Sequence, residues 1–264
     1  MLQTIVLALL QSATEFLPVS SSGHLILVPQ LLHWPDQGMA MDIVLHVGTL
    51  FSVLIYFRRD VGWAAAGTVD LLKRRFKTDR ALFAAKLGVA CIPVFFAGFF
   101  LAGYISEHFR NPRLIASTAI IFGILLYWAD KKSGRAGTLQ EMSFGHAFMI
   151  GLAQMLALIP GVSRSGITIT AARALGISRE EAARFSMLLS VPTIAAAGLL
   201  GVVKAAADPV GQNPPFQLIA LGMIIAFVGG AAAISFLMRW LKTSSFAIFA
   251  VYRVLLGAFL FYLF

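Results

Sequence analysis

Apolar residues follow one another in long runs along this chain, and short polar or basic stretches separate the runs. Runs of roughly twenty residues predict transmembrane helices, because a helix needs about 20 residues to cross the hydrocarbon core. Six such runs occupy about residues 41–57, 81–104, 114–129, 182–203, 216–238 and 246–264. No ten-residue alternation of apolar and polar residues favours a β-barrel. We therefore expect an all-α polytopic membrane protein.

Two further apolar stretches are each interrupted by a polar bend. The half-length segments that flank the bends occupy about residues 1–10, 25–32, 147–159 and 167–175. The first bend contains Pro18 and Gly23, and the second runs from Pro160 to Gly166. Irregular backbone persists at membrane depth only where protein or water satisfies it. Each stretch therefore predicts a re-entrant helical hairpin.

The two bends are versions of one another. Ser20-Ser21-Ser22-Gly23 aligns with Ser163-Arg164-Ser165-Gly166, and the same offset aligns Gln11 with Gln154. The chain thus divides into repeat 1, about residues 1–135, and repeat 2, about 143–264, within a single membrane domain spanning 1–264.

Each repeat contains one re-entrant hairpin and three predicted transmembrane helices. A hairpin returns to its own side of the membrane, whereas three spans do not. The second repeat should therefore be inverted relative to the first, which is an inverted-topology repeat. The two bends would then enter from opposite faces and meet near the midplane.

Composition and charge support this assignment. The 264 residues are 59% hydrophobic and only 12% charged, about half the charged share of a soluble domain. The net charge of +9 comes from Lys and Arg clustered in a few loops, which indicates membrane orientation rather than a nucleic-acid partner. With the basic 58–80 loop inside, the first hairpin opens to the outside. The single cysteine, Cys91, excludes an internal disulfide, and residues 1–10 lack the basic start of a cleaved signal peptide.

The second bend has the composition of a phosphate site. Arg164 lies between apolar half-helices, where an unpaired charge costs several kcal/mol. A helix start offers free amides and a positive dipole end, and a guanidinium matches phosphate oxygens. The neighbouring candidates for substrate binding are Gly161, Ser163, Ser165, Gly166 and Thr168. The alternative is a Gly/Ser hinge with a solvated arginine.

The first bend supplies candidates for catalysis. Ser20, Ser21, Ser22 or His24 could attack phosphorus, and His24 is alternatively a general acid or base. Glu15 could orient His24, or hold Mg²⁺ or Ca²⁺ with Gln11 nearby, since these cations prefer oxygen ligands. A bland alternative for Glu15 is an ion pair with Arg164 that only fastens the repeats together.

Several other polar residues lie within apolar segments. Asp42 and His46 share one helix face and could add to the site. Arg253 could approach the pocket or pair locally. Gln11 and Gln154 could each hydrogen-bond the opposing bend.

These motifs resemble the undecaprenyl-diphosphatase family, the bacitracin-resistance membrane phosphatases. The family's first motif corresponds to residues 11–24, with Phe-Leu-Pro-Val-Ser-Ser and Gly-His, and its second to Pro160–Thr168. The resemblance covers essentially the whole chain. Some members have Glu where this chain has Gln11, which puts the assignment of a metal to this position in question.

The resemblance implies hydrolysis of undecaprenyl diphosphate to the monophosphate and inorganic phosphate on the outer face of the bacterial inner membrane. This regenerates the lipid carrier for peptidoglycan synthesis and confers bacitracin resistance. The implied catalytic residues are Glu15, Ser21, His24 and Arg164, and the implied partner is a polyprenyl diphosphate lipid. The oligomeric state, including a homodimer, is left open.

Two other classes of protein share features with this sequence. Inverted repeats with broken helices are typical of transporters, so a flippase for polyprenyl phosphate is the alternative function. Lipid phosphatases related to phosphatidic acid phosphatase would require His and Asp at the positions of Thr170 and Ala174, and neither is present.

Overall fold

The computed structural model describes residues 1–109, 111–134, 137–207 and 214–264. Within these ranges the chain forms eleven α-helices and one 3₁₀ turn. The helices are α1 (Leu2–Thr14), α2 (Ser21–Leu31), α3 (Gly38–Tyr56), α4 (Arg58–Leu72), α5 (Asp79–His108), α6 (Pro112–Lys132), α7 (Phe144–Met155), α8 (Arg164–Ala174), α9 (Arg179–Ala207), α10 (Phe216–Trp240) and α11 (Ala247–Leu263). The 3₁₀ turn, Leu156–Leu158, extends α7.

The prediction of an all-α membrane protein is confirmed for the described residues. Helices α5, α6, α9 and α10 each contain a segment long and apolar enough to cross a membrane. The first predicted span forms α3, which turns by 90° into α4, and this bent pair counts as a fifth candidate. The last predicted span forms α11, which has only 17 residues. The predicted loop residues Arg110, Arg135 and 208–213 lie outside the described residues.

The basic segment after α3 is not simply the loop that the charges suggested. Its first part forms α4, because Val61, Ala64 and Gly67 recur at helical spacing and give it one packing face. A side chain at Gly67 would clash with the Arg80 backbone, so α4 lies close against α5. The buried carboxylate of Asp70 accepts hydrogen bonds from Thr78 and Arg80, which fixes this corner.

Close contacts between helices define their relative directions. A side chain at Gly48 of α3 would meet Met223 of α10, and one at Gly230 would meet Ser52, so α3 and α10 run parallel. Helices α6 and α11 run antiparallel, because Gly123 lies against Ala250 whereas Gly257 lies against Ala116. Helices α3 and α9 are also antiparallel, with Gly198 near Val47 and Gly201 near Ile43.

The two predicted hairpins are present as pairs of short helices. Helices α1 and α2 are joined by residues 15–20, and α7 and α8 by the 3₁₀ turn and residues 159–163. Two hydrophobic clusters surround the first pair, one including Leu7 and Leu45 and another including Leu27 and Ile115. Both bends lie in the interior of the bundle, where Ser20 and Ser163 are buried.

Candidate active site at the meeting of the two bends

The two bends share an unusual local conformation. Ser20 and Ser163 are the N-caps of α2 and α8, and both have positive φ angles, 78° and 72°. Non-glycine residues rarely adopt this conformation. Each serine Oγ accepts a hydrogen bond from the glycine amide three residues later, at 3.4 Å from Gly23 and 3.1 Å from Gly166. The equivalence that the sequence predicted at an offset of 143 residues therefore extends to backbone geometry.

The bends touch each other directly. The hydroxyl of Ser165 donates a hydrogen bond to the carbonyl oxygen of Leu17 at 3.2 Å. A side chain carbon on Gly23 would come within 3.7 Å of the Gly161 Cα atom. The N-termini of α2 and α8 are thereby brought into one region, and both helix dipoles present their positive ends there.

Arg253 of α11 forms hydrogen bonds to both bends. Its side chain is fully buried. Its guanidinium donates to the carbonyl oxygens of Gly161 at 2.9 Å, of Val162 at 2.8 Å and of Pro18 at 3.5 Å. A side chain on Gly166 would clash with it. Of the two roles that the sequence left open, approach to the site is the one that these contacts support, because Arg253 binds carbonyl oxygens of both bends. No acidic partner of Arg253 is found among the described ion pairs.

An ion pair links the first bend to the second. Arg164 Nη2 lies 3.2 Å from Glu15 Oε1, and Arg164 Nη1 donates to the Ser186 carbonyl oxygen at 2.8 Å. Glu15 is 6% exposed and Arg164 is 15% exposed. The Arg164 Nε atom is buried without a hydrogen-bond partner among the described residues. The guanidinium is therefore fixed at two corners and retains donor capacity.

Three more side chains surround the Glu15 carboxylate. Its Oε2 atom accepts a hydrogen bond from Ser21 Oγ at 2.8 Å and from Gln11 Nε2 at 3.1 Å. His46 Nε2 lies 3.7 Å from the same oxygen. The other ring nitrogen of His46 donates to the Asp42 carbonyl oxygen at 2.7 Å. The structure thus brings together Glu15, Ser21 and Arg164, and adds His46, which the sequence suggested only through its spacing from Asp42.

His24 lies in a separate hydrogen-bonded pair. Its Nδ1 donates to the Ser20 carbonyl oxygen at 2.7 Å, so in the neutral ring Nε2 accepts from the Tyr252 hydroxyl at 2.6 Å. The two rings stack with centroids 5.8 Å apart. Within the described chain, no hydrogen bond joins His24 to Glu15, Ser21 or Arg164. Sequence analysis missed Tyr252, because one tyrosine in an apolar run carries no distinguishing signal.

The remaining predicted binding residues have structural contacts of their own. Thr168 donates to the Arg164 carbonyl oxygen at 2.8 Å and meets Ser186 Oγ at 2.8 Å. Gly161 has a φ of 89° and packs against Thr118. Ser22 is exposed, with its Oγ 3.4 Å from that of Ser20. These residues shape the bends, while the amides of Arg164 and Ser165 have no acceptor among the described residues.

The expected contacts of the two glutamines with the opposing bend are wrong. Gln11 donates to Glu15, which lies one turn further along the same chain segment. Gln154 donates to the Ala90 carbonyl oxygen of α5 at 3.3 Å. Gly151 lets α7 approach α5 closely at Ala90, which brings that carbonyl within reach. In both cases a nearer acceptor replaces the predicted one.

The oxygen ligands for a cation are few. No cluster of three His, Cys, Asp or Glu side chains is found among the described residues. The Oε1 atom of Gln11 is nevertheless buried without a hydrogen-bond partner, beside the Glu15 carboxylate. Together the two residues offer a carboxylate and an amide oxygen, the ligand types that Mg²⁺ and Ca²⁺ prefer. These donor types suit a cation whose other ligands come from phosphate or water, provided that the Gln11 amide turns so that Oε1 rather than Nε2 faces Glu15.

Comparison with known proteins finds relatives over nearly the whole chain. The chain is 48% identical to the undecaprenyl-diphosphatase of Jannaschia sp. over 255 residues, 96% of this chain and 95% of the relative. It is 47% identical to that of Dinoroseobacter shibae over 262 residues, 97% and 96% of the two chains. It is 46% identical to that of Campylobacter concisus over 260 residues, 98% and 97% of the two chains. Residues 4–259 match the family described as bacitracin resistance protein BacA, and the chain belongs to that family.

Proposed function

We propose that this protein hydrolyses undecaprenyl diphosphate to undecaprenyl phosphate and inorganic phosphate. The observation that carries the proposal is the buried contact between Glu15 Oε1 and Arg164 Nη2, at 3.2 Å, between the two bends. The relatives named undecaprenyl-diphosphatase align over nearly their full length. A hydroxyl, a carboxylate and a guanidinium within one polar site are the groups that phosphoryl transfer requires.

The second bend would hold the diphosphate. Arg164 retains donor capacity at its guanidinium, and the amides of Arg164 and Ser165 open α8 at its positive end. Phosphate oxygens bind well to such helix starts. The start of α2 adds a second positive dipole end from the opposite side. These groups would stabilise the charge that develops on the terminal phosphoryl oxygens.

Ser21 is the nucleophile that the contacts favour over His24. Its hydroxyl already donates to Glu15 Oε2 at 2.8 Å, so the carboxylate can accept its proton. Ser21 Oγ would bond to the terminal phosphorus as the anhydride bond breaks and undecaprenyl phosphate leaves. The oxygen of a water molecule would then bond to phosphorus as the bond from phosphorus to Ser21 Oγ breaks. Glu15 would return its proton to Ser21 Oγ, and the proton lost by the water would leave with inorganic phosphate.

In this scheme His24 would not attack phosphorus but would hold neighbouring residues of the first bend in place. Both of its nitrogens are engaged, by Ser20 and by Tyr252. It therefore supports the backbone of the first bend at Ser20, the residue before Ser21. Direct participation of His24 would require its Nε2 atom to leave the Tyr252 hydroxyl.

A divalent cation, Mg²⁺ or Ca²⁺, is proposed as cofactor. Glu15 and the Oε1 atom of Gln11 would hold it. When bound, such an ion neutralises phosphate charge. Gln11 supplies no negative charge of its own, so the site on this chain should be weaker than one with two carboxylates.

The inverted-topology repeat is part of the proposal. The parallel pairing of α3 with α10 and the antiparallel pairings of α3 with α9 and α6 with α11 support it, because each is the pairing expected if repeat 2 is inverted. The matching conformations of Ser20 and Ser163 support it as well. By the positive-inside rule, the first hairpin would open to the exterior of the bacterial inner membrane. Hydrolysis there would recycle the carrier lipid for peptidoglycan synthesis and confer bacitracin resistance.

The decisive test is phosphate release from undecaprenyl diphosphate by purified protein in detergent. Arg164→Ala should lower the rate by at least about a hundredfold, the effect typical of losing a group that stabilises transition-state charge. Arg239→Ala, which removes an exposed arginine at the end of α10, should leave the rate unchanged. An Arg164→Ala protein that is folded and retains most of its activity would refute the role of this residue.

The helix pairings also favour a second candidate, a flippase for polyprenyl phosphate. Broken helices that meet within a bundle are found in transporters. Hydrolysis in detergent needs no sidedness, whereas flipping does. A protein that releases no phosphate in detergent but moves labelled polyprenyl phosphate across vesicle membranes would be a transporter.

A further inference from the structure

A cavity of about 610 Å³ lies between α4, α5, α9 and the segment 138–140, away from the bends. Its size falls within the range of small-molecule sites. The side chain of Arg184 in α9 lines it, while the hydroxyl of Ser186, two residues later, meets Thr168 of the second hairpin at 2.8 Å. Residues two apart point about 200° apart around a helix. The cavity and the proposed active site therefore lie on opposite faces of α9.

Three basic and three acidic side chains line the cavity, and they are only partly paired with one another. Arg184 pairs with Asp60 and with Glu181, the latter at 3.1 Å, while its Nε atom is buried without a hydrogen-bond partner among the described residues. Asp79 lies in the first turn of α5, where the helix dipole stabilises a carboxylate. Arg59 has no described hydrogen bond or ion pair, and Lys86 reaches only the Gln140 carbonyl oxygen, at 3.2 Å. Arg59 and Lys86 thus line the cavity without an ion pair among the described residues, although Asp79 lines it as well.

The surroundings of these two cations are those of a membrane interface. Helix α4 leaves α3 at 90°, and its Trp63 is 50% exposed beside the cavity. Tryptophan prefers the depth of lipid headgroups. The apolar wall includes Leu82 and Phe83, on the first turns of the long apolar helix α5. A ligand of this cavity would therefore have a small anionic group attached to an apolar body.

We infer that the cavity binds the phosphodiester headgroup of an anionic phospholipid through Arg59 and Lys86. The phosphodiester carries one negative charge, and uncharged headgroup hydroxyls could donate to Asp79. Each basic residue near a membrane surface contributes to holding such lipids. The acyl chains would leave along the exposed face of α5. This site is independent of the proposed hydrolysis.

The test uses the full-length protein and titration with phosphatidylglycerol, followed by native mass spectrometry of the retained lipid. Arg59→Gln/Lys86→Gln should weaken retention by at least about tenfold. The matched control is Arg239→Gln/Lys242→Gln, which removes two exposed cations at the end of α10. That end lies on the same side of the bundle as Arg59, because α3 and α10 are parallel. Equal retention by the two double variants would overturn the inference.

A second measurement does not depend on the folding of the charge variant. Phosphatidylglycerol brominated near the headgroup end of its chains should quench the fluorescence of Trp63. The quenching of Trp63 is the difference between the quenching of the native protein and that of Trp63→Phe. Phosphatidylcholine brominated in the same way should quench it much less, and equal quenching by both would count against a headgroup site. Millimolar inorganic phosphate should not displace the lipid. Displacement by inorganic phosphate would overturn the lipid assignment in favour of a free anion.

Discussion

The guanidinium of Arg253 donates to the carbonyl oxygen of Val162 at 2.8 Å, although 91 residues separate them. The same group reaches the carbonyl oxygen of Pro18 in the first bend. Carbonyls in a bend lack the helical donors that would satisfy them, and an unsatisfied buried group costs about 1–3 kcal/mol. Arg253 thus makes it possible for two irregular segments to lie buried side by side.

Arg253→Lys should therefore destabilise the fold while keeping the charge. A lysine ammonium cannot reach the carbonyls of both bends in the geometry of the guanidinium fork. We expect a loss of at least about 2 kcal/mol, from two or more unsatisfied carbonyls, measured as a lower thermal unfolding midpoint in detergent. Arg113→Lys, at an exposed position near the C-terminus, is the control. An unchanged midpoint for Arg253→Lys would contradict this structural role.

Ser21→Ala should lower phosphate release by at least about 10⁴-fold, because the variant lacks the oxygen that attacks phosphorus. Ser117→Ala removes an exposed hydroxyl that bonds only within α6, and should have no effect. Mass spectrometry of protein quenched during turnover should also show a phosphate on Ser21. If Ser21→Ala releases phosphate at the normal rate, Ser21 is not the nucleophile, and another group or water attacks phosphorus.

The sequence contained most of this site, but not its contacts. The bends, their equivalence and the contact between Glu15 and Arg164 follow from polar residues that interrupt apolar runs, because such interruptions are costly in a membrane. Tyr252 could not be found in this way, since its position in α11 matters only through the packing of α11 near His24. The contacts of Gln11 and Gln154 were missed because acceptor choice depends on local backbone approach.

The same distinction applies to the fold. Hydropathy located the long helices, since the need to fill the bilayer sets their length. It did not predict α4, whose charged residues look like a loop when only hydropathy is considered. The helical spacing of its small residues, together with Asp70 bound to Thr78 and Arg80, makes α4 a packed helix.

Tyr252→Phe should reduce stability by about 1–3 kcal/mol, because His24 Nε2 would lose its donor while remaining buried. The phenylalanine ring preserves the stacking on His24, so the change isolates the hydroxyl. Thermal unfolding measures the effect, and Tyr127→Phe, on the partly exposed face of α6, is the control. An equal midpoint for the two variants would mean that the 2.6 Å hydrogen bond contributes nothing.

Gln11→Glu should strengthen the binding of a divalent cation beside Glu15. The change adds a second carboxylate beside Glu15, and a cation would offset the repulsion between them. We expect half-maximal phosphate release at a Mg²⁺ concentration at least several-fold lower than in the native protein. Gln140→Glu adds the same charge at a site away from the bends. If both variants respond to Mg²⁺ as the native protein does, Gln11 is not near a bound cation.

The directions of the helices make a prediction about sidedness. Helices α3 and α10 are parallel, so the residues before them must lie on one side of the membrane and the residues after them on the other. With Cys91 replaced by Ser, single cysteines at Asp36 and Gln217 should react with an impermeant maleimide in intact cells. Cysteines at Lys73 and Thr243 should react only after the cells are opened, because the basic residues after α3 favour the inner side. If the cysteines at Asp36 and Gln217 were labelled from opposite sides of the membrane, α3 and α10 could not be parallel. If the cysteines at Lys73 and Thr243 were labelled in intact cells, the protein would have the opposite orientation, and the first hairpin would open to the cytoplasmic face.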